Sequence, residues 1–358
     1  MTDVSDVEHA LQAKPPLRAI TAYKFLQELK PLEQIVDGLP IGRGRLTSIT
    51  GPTGHGKTTI AALLQTSFVR GLDFAGREVS QGAVIACIGE NPEDWGLHSL
   101  ATMQEQSLEP KDFRQLLVIP EIFNFDAEWD RLALMAAELT PAELVAIFVD
   151  TSAAYFSGDD DNNNVQAGAY ARTLRALTEL PGGPAVIALC HPVKNATRDS
   201  LLPRGGGAFL AEVDANLTVW RDDAGIVTLH WAGKIRGPNF DPIKFQLKPR
   251  QIDGYLDAKG RAVSSAVAVH IRDEQAEQLE DKALDDENRL LVAMQRKPGA
   301  SVADLAIAGG FTNGLCKPQK SRVHRLLERL QQQGLAKRSR TGAWELTRKG
   351  QDEANSLP

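Results

Sequence analysis

The chain has 358 residues, which is enough for about two domains. Its 42% hydrophobic and 24% charged content is that of a soluble globular protein, and its net charge of −6 by itself argues against nucleic-acid binding. It has no run of about eighteen apolar residues, an N-terminus unlike a signal peptide and three widely spaced cysteines, so we expect a cytoplasmic protein without a membrane span or disulfides.

Residues 1–30 are predicted to be a peripheral segment, and the domain 31–262 that follows begins with a phosphate-binding motif. The strand-like run Leu46–Thr50 leads into the pattern G-x-x-x-x-G-K-[ST], and a helix-like run from Thr59 to about Arg70 follows it. This strand–loop–helix order is the context in which the motif binds nucleoside triphosphates. The motif and the next residue are Gly51, Pro52, Thr53, Gly54, His55, Gly56, Lys57, Thr58 and Thr59.

The residue types in this loop, the P-loop, predict how it holds a triphosphate. Its glycines let backbone N–H groups and the N-terminus of the next helix face phosphate oxygens. We expect Lys57 to reach the β- and γ-phosphates of ATP and the Thr58 hydroxyl to hold Mg²⁺. His55 should face solvent or nucleotide without a chemical role. The alternative is a glycine-rich turn that binds nothing.

Apolar runs that alternate with helical patterns predict the fold of this domain. Four continuous runs are typical of strands buried on both faces of a parallel sheet, and three shorter runs predict an antiparallel extension. The predicted fold class is therefore α/β, a P-loop NTPase with a mostly parallel central sheet flanked by helices. The parallel candidates are Ala83–Gly89, Leu116–Pro120, Leu144–Asp150 and Ala185–Cys190, and the later ones are Ala215–Trp220, Ile226–Trp231 and Pro242–Leu247.

Acidic side chains at strand ends are candidates for metal binding and for catalysis. Asp150 ends an apolar run and would bind Mg²⁺ through water. Because the next residue is Thr151, the acid that activates the attacking water has to come from elsewhere. Glu90 closes the first strand after the P-loop helix and is the first candidate for a general base. It could instead be a solvated carboxylate, and Glu93 and Asp94 are rivals that we expect to be more exposed.

A histidine follows the last parallel strand candidate. His191 lies where a polar side chain could sense the γ-phosphate. The alternative is a buried histidine that is bonded to backbone. The histidines of the chain have no spacing that indicates a metal site.

The C-terminal part is predicted to be a linker, 263–284, followed by a small winged helix-turn-helix domain, 285–352. The linker is rich in Ala, Gln, Asp and Glu without a sustained apolar pattern, although part of it could be helical. Helix-like runs at Asp285–Arg296, Ser301–Ala308 and Lys320–Gln333 precede a basic hairpin-like stretch around Thr341-Gly342.

The charge of this C-terminal domain differs from that of the rest. From residue 285 onward there are 13 Lys and Arg against 8 Asp and Glu, a net charge of +5, which leaves −11 for the remainder of a chain whose net charge is −6. A basic tail on an acidic body indicates contact with nucleic acid, here duplex DNA, although winged helices also bind proteins and basic helix faces are often only solvated. The candidate contacts are Lys320, Arg322, Arg325 and Arg329, which we expect to be exposed on the third helix, and Lys337, Arg338 and Arg340 in the hairpin.

Taken together, these residues resemble the RecA-fold ATPases, and most closely the RepA-like hexameric helicases of plasmids and phages. The resemblance covers about residues 32–247 and depends on an ordered series of motifs. The series is Leu32-Glu33 with Val36-Asp37-Gly38-Leu39-Pro40, Gly51–Thr59, Gly89–Asp94, the strand ending at Asp150, Leu189–Lys194, Arg204–Ala208 and Gly233–Pro238.

The resemblance implies roles for several residues. It agrees with Glu90 as the catalytic acid and with His191 as the polar sensor. Lys234 and Arg236 resemble the pair that reaches the γ-phosphate bound by the neighbouring subunit, although they could also be a basic turn between strands. An arginine supplied in trans can be worth about 10³–10⁵ in rate. The resemblance therefore implies a homo-oligomeric ring, a hexamer, in which two chains form each site.

The resemblance also places the segment 194–207 in a central channel that grips single-stranded DNA. Lys194, Arg198 and Arg204 are the candidate contacts, because basic side chains suit the tracking of phosphates. The acidic stretch Phe156–Asn164 is a less suitable channel loop. The C-terminal winged helix departs from the simpler RepA-like pattern.

Three functions compete at this point. The leading one is an ATP-hydrolysing ring that translocates on single-stranded DNA, a replicative helicase of a mobile element. The second is an ATP-switched DNA-binding protein of recombination or regulation, without processive unwinding. The third, a small-molecule phosphotransferase, is disfavoured by the trans-acting pair and by the DNA-binding-like tail.

Overall fold

A computed structural model describes residues 19–29, 31–139, 144–161 and 163–357, and the chain divides into two compact units between Glu33 and Gln34. The described part of the first unit contains the short helix α1 (Ala22–Gln27). It begins where the Thr21 hydroxyl accepts a hydrogen bond from the N–H group of Lys24, as an N-cap does. Most of the predicted peripheral segment 1–30 lies outside the described residues.

Nine strands among the described residues of the second unit form one mixed sheet. Its strands are β1 (Leu46–Thr50), β2 (Ala83–Ile88), β3 (Leu116–Ile119), β4 (Leu144–Asp150), β5 (Ala185–Cys190), β6 (Ala215–Arg221), β7 (Ile226–Ile235), β8 (Ile243–Leu256) and β9 (Ala262–His270). Their order is β3-β2-β4-β5-β1-β6-β7-β8-β9. The first six in this order run parallel and the last three are antiparallel additions, which confirms a mostly parallel sheet with an antiparallel extension. The assignment of Ala215–Trp220 to that extension is wrong, because β6 pairs parallel with β1 and antiparallel only with β7, and β9 is a strand that the apolar runs do not predict.

Helices cover both faces of the parallel part, because each of its strands has apolar side chains on both sides. In β4, Phe148 belongs to the core cluster that contains α2, whereas Ile147 and Val149 belong to the cluster that contains α5. The helices are α2 (Lys57–Arg70), α3 (Pro92–Glu105), α4 (Trp129–Glu138), α5 (Asn164–Ala176) and α6 (Gly206–Glu212), and the 3₁₀ turns are Pro110–Phe113, Ser152–Tyr155, Leu177–Glu179 and Arg198–Ser200.

The register of the parallel strands brings their polar ends together. Thr50 of β1 pairs with Cys190 of β5, and Ile88 of β2 pairs with Asp150 of β4. The P-loop, Glu90, Asp150 and His191 therefore all leave the sheet at the same edge. This carboxyl edge is where open α/β sheets bind their ligands.

The predicted linker 263–284 is wrong as a description of this stretch, since it holds most of β9 and the first half of a long helix, α7 (Asp273–Arg296). The sequence favours a linker, part of which could be helical, because this stretch has no sustained apolar pattern. Its few apolar residues nevertheless anchor β9 and α7 to the core. Val267 is buried in the sheet, and Ala276 and Leu279 of α7 pack with Ile226 and Ile271.

The C-terminal segment contains the predicted helices and hairpin. After α7 come α8 (Val302–Ala308), α9 (Lys320–Gln332), the antiparallel pair β10 (Ala336–Arg338) and β11 (Trp344–Leu346), and α10 (Arg348–Ser356). The Ser301 hydroxyl caps α8, and the apolar stripe of α9 is buried in a separate core cluster. None of the described helices is both long and apolar enough to cross a membrane.

Candidate nucleotide site

The P-loop joins β1 to α2, and its glycines are required by the backbone. Gly56 immediately precedes α2 with φ +96°, a left-handed conformation that favours glycine. A Cβ at Gly51 would lie 2.4 Å from the carbonyl oxygen of Val219 on β6. The loop therefore packs closely on the sheet and delivers the N-terminus of α2 to its carboxyl edge.

A cavity of about 310 Å³ opens beside this loop. Four side chains that line it come from different parts of the sheet edge: Lys57 begins α2 after the P-loop, and Glu90, Asp150 and His191 lie at or just after the ends of β2, β4 and β5. Of the P-loop residues, Gly51, Pro52 and His55 are not on its wall. The other predicted nucleotide-binding residues line it, and these are Thr53, Gly54, Gly56, Lys57, Thr58 and Thr59.

Lys57 is buried against its own loop. Its Nζ atom donates to the carbonyl oxygens of Gly51 at 2.7 Å and Pro52 at 3.2 Å. Burial lowers the pKa of this ammonium from its ordinary value, and the neighbouring Asp150 opposes that effect. A phosphate oxygen, which is charged, would be a stronger acceptor for the ammonium than these neutral carbonyls.

Asp150 and Thr58 supply a set of oxygen atoms at the cavity. Asp150 is buried at the end of β4, and burial raises the pKa of its carboxyl to about 6, although the hydrogen bond from Thr58 and the charge of Lys57 act in the opposite direction. A carboxylate beside a hydroxyl matches the hard oxygen ligands that Mg²⁺ prefers. The pair therefore fits the predicted Mg²⁺ site.

Glu90, Thr151 and His191 form a cluster at the cavity wall, which Asp150 also lines. The Thr151 hydroxyl donates to Oε2 of Glu90 at 2.9 Å, and Nε2 of His191 lies 3.5 Å from the same oxygen. Burial, followed by the charge of Lys57, lowers the pKa of His191, whereas Glu90 raises it. The His191 ring therefore contacts a cavity carboxylate, unlike the backbone-bonded alternative that the sequence left open.

The two rival acids on α3 differ in position. Asp94 lines the cavity, two-thirds exposed, with its carboxylate 3.6 Å from Nε2 of His98, whereas Glu93 is exposed and is not on the cavity wall. Glu90 is the acid that contacts Thr151 and His191.

His55 is only partly exposed, and it has partners within the chain that the prediction of a group facing solvent or nucleotide does not include. Its ring packs on Trp220 with centroids 4.8 Å apart, and its Nδ1 atom accepts the N–H group of Arg221 at 2.9 Å. Burial is the main cause that lowers the pKa of His55, with smaller contributions from the charges of Lys57 and Arg221. The imidazole therefore ties the P-loop to the end of β6.

The cavity has further wall residues that the sequence motifs do not indicate. Trp95 and His98 of α3, Arg221 at the end of β6, Leu247 of β8 and Ala266 of β9 all line it. They lie outside the P-loop and the apolar runs that end in acids. The packing of α3, the parallel pairing of β6 with β1 and the register of the antiparallel strands bring them to the site.

The predicted trans-acting pair lies away from this cavity. Arg236 contacts the carboxylate of Asp214 at 3.3 Å, and the Lys234 ammonium donates to the carbonyl oxygen of Ala211. Asp214 is buried and also contacts Arg175 at 3.1 Å. Neither basic residue lines the cavity of its own chain.

The predicted DNA contacts of the ATPase domain differ in their partners. Lys194 and Arg198 are exposed. Arg204 is half-buried and its guanidinium lies 3.2 Å from the carboxylate of Asp161, in the acidic stretch after β4. The basic and acidic loops of this edge are thus in contact with each other.

The C-terminal candidates for DNA contact divide into residues that are exposed and residues that pair with buried acids of the same segment. Lys320, Arg325, Lys337, Arg338 and Arg340 are exposed, and Arg338 lies over the ring of Trp344.

The prediction that Arg322 and Arg329 are exposed is wrong. Arg322 pairs with Asp286 and stacks over Phe311, and Arg329 pairs with Glu287. Both acids lie on α7 and are buried, so each requires a cation beside it.

The comparisons with known proteins agree with the geometry of the cavity. A family model described as "AAA domain" matches residues 12–197, which is more than half of the chain. The matched segment includes the P-loop, Glu90, Asp150 and His191 and ends before Arg204. No curated protein matches the sequence.

Proposed function

The chain belongs to the AAA domain family of P-loop ATPases, and on that premise we propose that it is a ring-forming ATPase that translocates on single-stranded DNA, a replicative helicase of the RepA-like kind. The observation that carries the proposal is the convergence of Lys57, Glu90, Asp150 and His191 on one cavity. Each ends or follows a different parallel strand, Lys57 at the start of α2, and together they supply the groups that hydrolysis of a γ-phosphate requires.

In this mechanism Lys57 exchanges its carbonyl partners for the β- and γ-phosphate oxygens of ATP. Thr58 and Asp150 would hold the Mg²⁺ that accompanies the nucleotide and withdraws charge from its phosphates. Glu90 accepts a proton from the attacking water. The oxygen of that water bonds to the γ-phosphorus, while the bond between the γ-phosphorus and the bridging oxygen, which leaves with ADP, breaks. His191, which is close to Lys57 and Glu90, responds to the presence of the γ-phosphate.

A shared active site explains the position of the basic pair. Because Lys234 and Arg236 lie off the cavity of their own chain, they are available to the cavity of a neighbouring chain. Arg236 is 63% exposed despite its contact with Asp214. In a closed ring every such head-to-tail interface repeats, so each site receives one arginine from its neighbour.

DNA contact is assigned to two surfaces. Lys194 and Arg198 on the exposed segment after β5 would track single-stranded DNA in the channel. The C-terminal segment is proposed to be a winged helix that contacts duplex DNA through Lys320, Arg325 and the hairpin residues Lys337, Arg338 and Arg340. Arg322 and Arg329 hold this domain together instead.

The test compares ATP hydrolysis and strand separation in three proteins. We expect Lys57→Ala to abolish hydrolysis and Glu90→Gln to bind ATP but hydrolyse it at least about 10²-fold more slowly. Single-stranded DNA should stimulate the wild type, which should also unwind a forked duplex. Stimulation without unwinding would favour the ATP-switched DNA-binding protein, and hydrolysis that is indifferent to DNA would refute both. Full turnover by Lys57→Ala would refute the site itself.

A further inference from the structure

We propose that Thr151 is a positioning residue that fixes the carboxylate of Glu90 for attack by water. The proposal rests on the role of Glu90 as general base. Thr151 follows the metal-binding candidate Asp150 directly, yet its hydroxyl points to the neighbouring strand rather than to a group on β4. The inference is therefore that β4 contributes to the chemistry twice, once through Asp150 and once through the residue after it.

The backbone of Glu90 is already held in place. The N–H groups of Gly89 and Glu90 both donate to the carbonyl oxygen of Asp150, at 2.8 Å and 3.3 Å. The side chain is less constrained, because 45% of it is exposed. An exposed glutamate has many rotamers, and a hydrogen bond from a fixed donor selects among them.

Thr151 is suited to be that donor. It is 5% exposed, and its branched side chain has few rotamers. Its hydroxyl lies 2.9 Å from Oε2 of Glu90, within the range of a normal O–H···O hydrogen bond to a carboxylate. The bond therefore joins a rigid buried group to a flexible exposed one.

The choice of oxygen leaves the other one for catalysis. Thr151 and His191 both contact Oε2 of Glu90. Among the residues that the structure describes, Oε1 has no hydrogen-bond partner. With Oε2 held from two sides, Oε1 is the atom that is left to accept the proton of a water molecule in the cavity.

The experiment compares Thr151→Val, which keeps the branched shape without the hydroxyl, with Thr151→Ser, which keeps the hydroxyl. We expect kcat for ATP hydrolysis to fall about 10- to 100-fold in Thr151→Val, the loss that follows from misplacing a catalytic group. Thr151→Ser should stay within about threefold of wild type, because it restores the donor. Affinity for a non-hydrolysable ATP analogue should change little in either variant, since the hydroxyl acts on the base and not on the nucleotide.

A double variant separates positioning from general damage. If Thr151 acts through Glu90, then Thr151→Val should cost nothing further in a Glu90→Gln background. Additive losses, an unchanged kcat in Thr151→Val or a raised kcat would each overturn the inference, the last by showing that the hydroxyl restrains Glu90. Should Thr151→Val melt below the assay temperature, Thr151→Ala with the same double-variant comparison replaces it.

The outcomes also distinguish the two proposals. A fully active Glu90→Gln enzyme would refute Glu90 as the base and with it the positioning role of Thr151, whereas the DNA-translocating ATPase would still be judged by its DNA stimulation and unwinding. An impaired Glu90→Gln enzyme beside a fully active Thr151→Val enzyme would refute the positioning role alone.

Discussion

At the scale of single residues, His55 couples the P-loop to the sheet through its protonation state. Its Nδ1 atom accepts the N–H group of Arg221, so this nitrogen has to be unprotonated. Protonation would turn the acceptor into a donor that faces another donor. The pKa of His55 is accordingly lowered, chiefly by burial.

This arrangement predicts a pH dependence of stability. The folded pKa lies below the ordinary value of 6.5, so the unfolded chain binds protons more readily than the folded one. The contribution of His55 to the free energy of unfolding is therefore complete above pH 6.5 and is lost as the pH falls below it. The difference in melting temperature between wild type and His55→Asn, followed across pH, should measure this contribution. The asparagine oxygen also accepts the N–H group of Arg221 but does not titrate.

We expect the advantage of wild type over His55→Asn to shrink as the solution is acidified. An NMR titration of the His55 ring, assigned by its absence in the variant, should have its midpoint below 6.5. A midpoint above that value, or a constant difference in melting temperature, would contradict the coupling.

At the scale of elements, one buried amide connects the strand before the P-loop with the segment 194–207 and with β7. The Oδ1 atom of Asn216 on β6 accepts from Ser48 at 2.9 Å and from Thr50 at 2.6 Å, both on β1. Its Nδ2 atom donates to the carbonyl oxygens of Leu201 at 2.9 Å and Ala232 at 3.0 Å. One side chain therefore hydrogen-bonds to β1, to the segment 194–207 and to β7, the strand that carries Lys234.

Replacing this amide should destabilise the ATPase domain. Asn216→Leu leaves two hydroxyls and two carbonyls without their partner, and we expect the free energy of unfolding to fall by at least about 2–3 kcal/mol. Ser48→Ala removes a single donor and should cost about 1 kcal/mol. Denaturant titrations of the nucleotide-free proteins measure both values. Equal losses in the two variants would show that the amide is not the centre of the network.

How much of this could be read from the sequence depends on the range of the interaction. The P-loop and Asp150 are predicted because each is marked by its own apolar strand and local spacing. Arg221 and Leu247 are not, since only the pairing of β6 with β1 and the register of the antiparallel strand β8 place them at the cavity. Arg322 is wrongly predicted to be exposed for the same reason: its partner Asp286 is on another helix, and both residue types are ordinarily solvated.

At the scale of the whole molecule, the C-terminal domain contacts the ATPase domain next to the nucleotide site. The guanidinium of Arg329 on α9 lies 3.9 Å from the carboxylate of Asp223, in the turn after β6. A groove of about 520 Å³ lies between α9 and this turn, and Arg325 and Arg221 are among the residues that line it. Arg221 also lines the nucleotide cavity. DNA bound along α9 would therefore share this groove with the turn, whereas the exposed hairpin of β10 and β11 lies outside it.

The ring itself is tested by mixing two inactive proteins. Lys57→Ala lacks a working P-loop and Arg236→Ala lacks the arginine that a neighbour would receive, so each should be inactive alone. Mixed chains would restore an intact site wherever an Arg236→Ala subunit receives Arg236 from a Lys57→Ala neighbour. When equal amounts of the two proteins assemble at random, about a quarter of all interfaces have an intact site. We expect ATP hydrolysis to recover toward about a quarter of the wild-type rate.

The contacts of Arg236 call for a matched control. Its guanidinium neutralises part of the buried Asp214, so Arg236→Ala removes one partner of that acid, although Arg175 remains at 3.1 Å. Arg236→Lys keeps a cation there but loses the planar fork that suits phosphate, so it should fold normally and still require complementation. Recovery with both Arg236 variants places the arginine in its neighbour's site. A well-folded Arg236→Lys protein that is inactive alone and stays inactive in the mixture would show that sites are not shared between chains in this way. In that case Arg236 acts only within its own chain, and a neighbour cannot supply it.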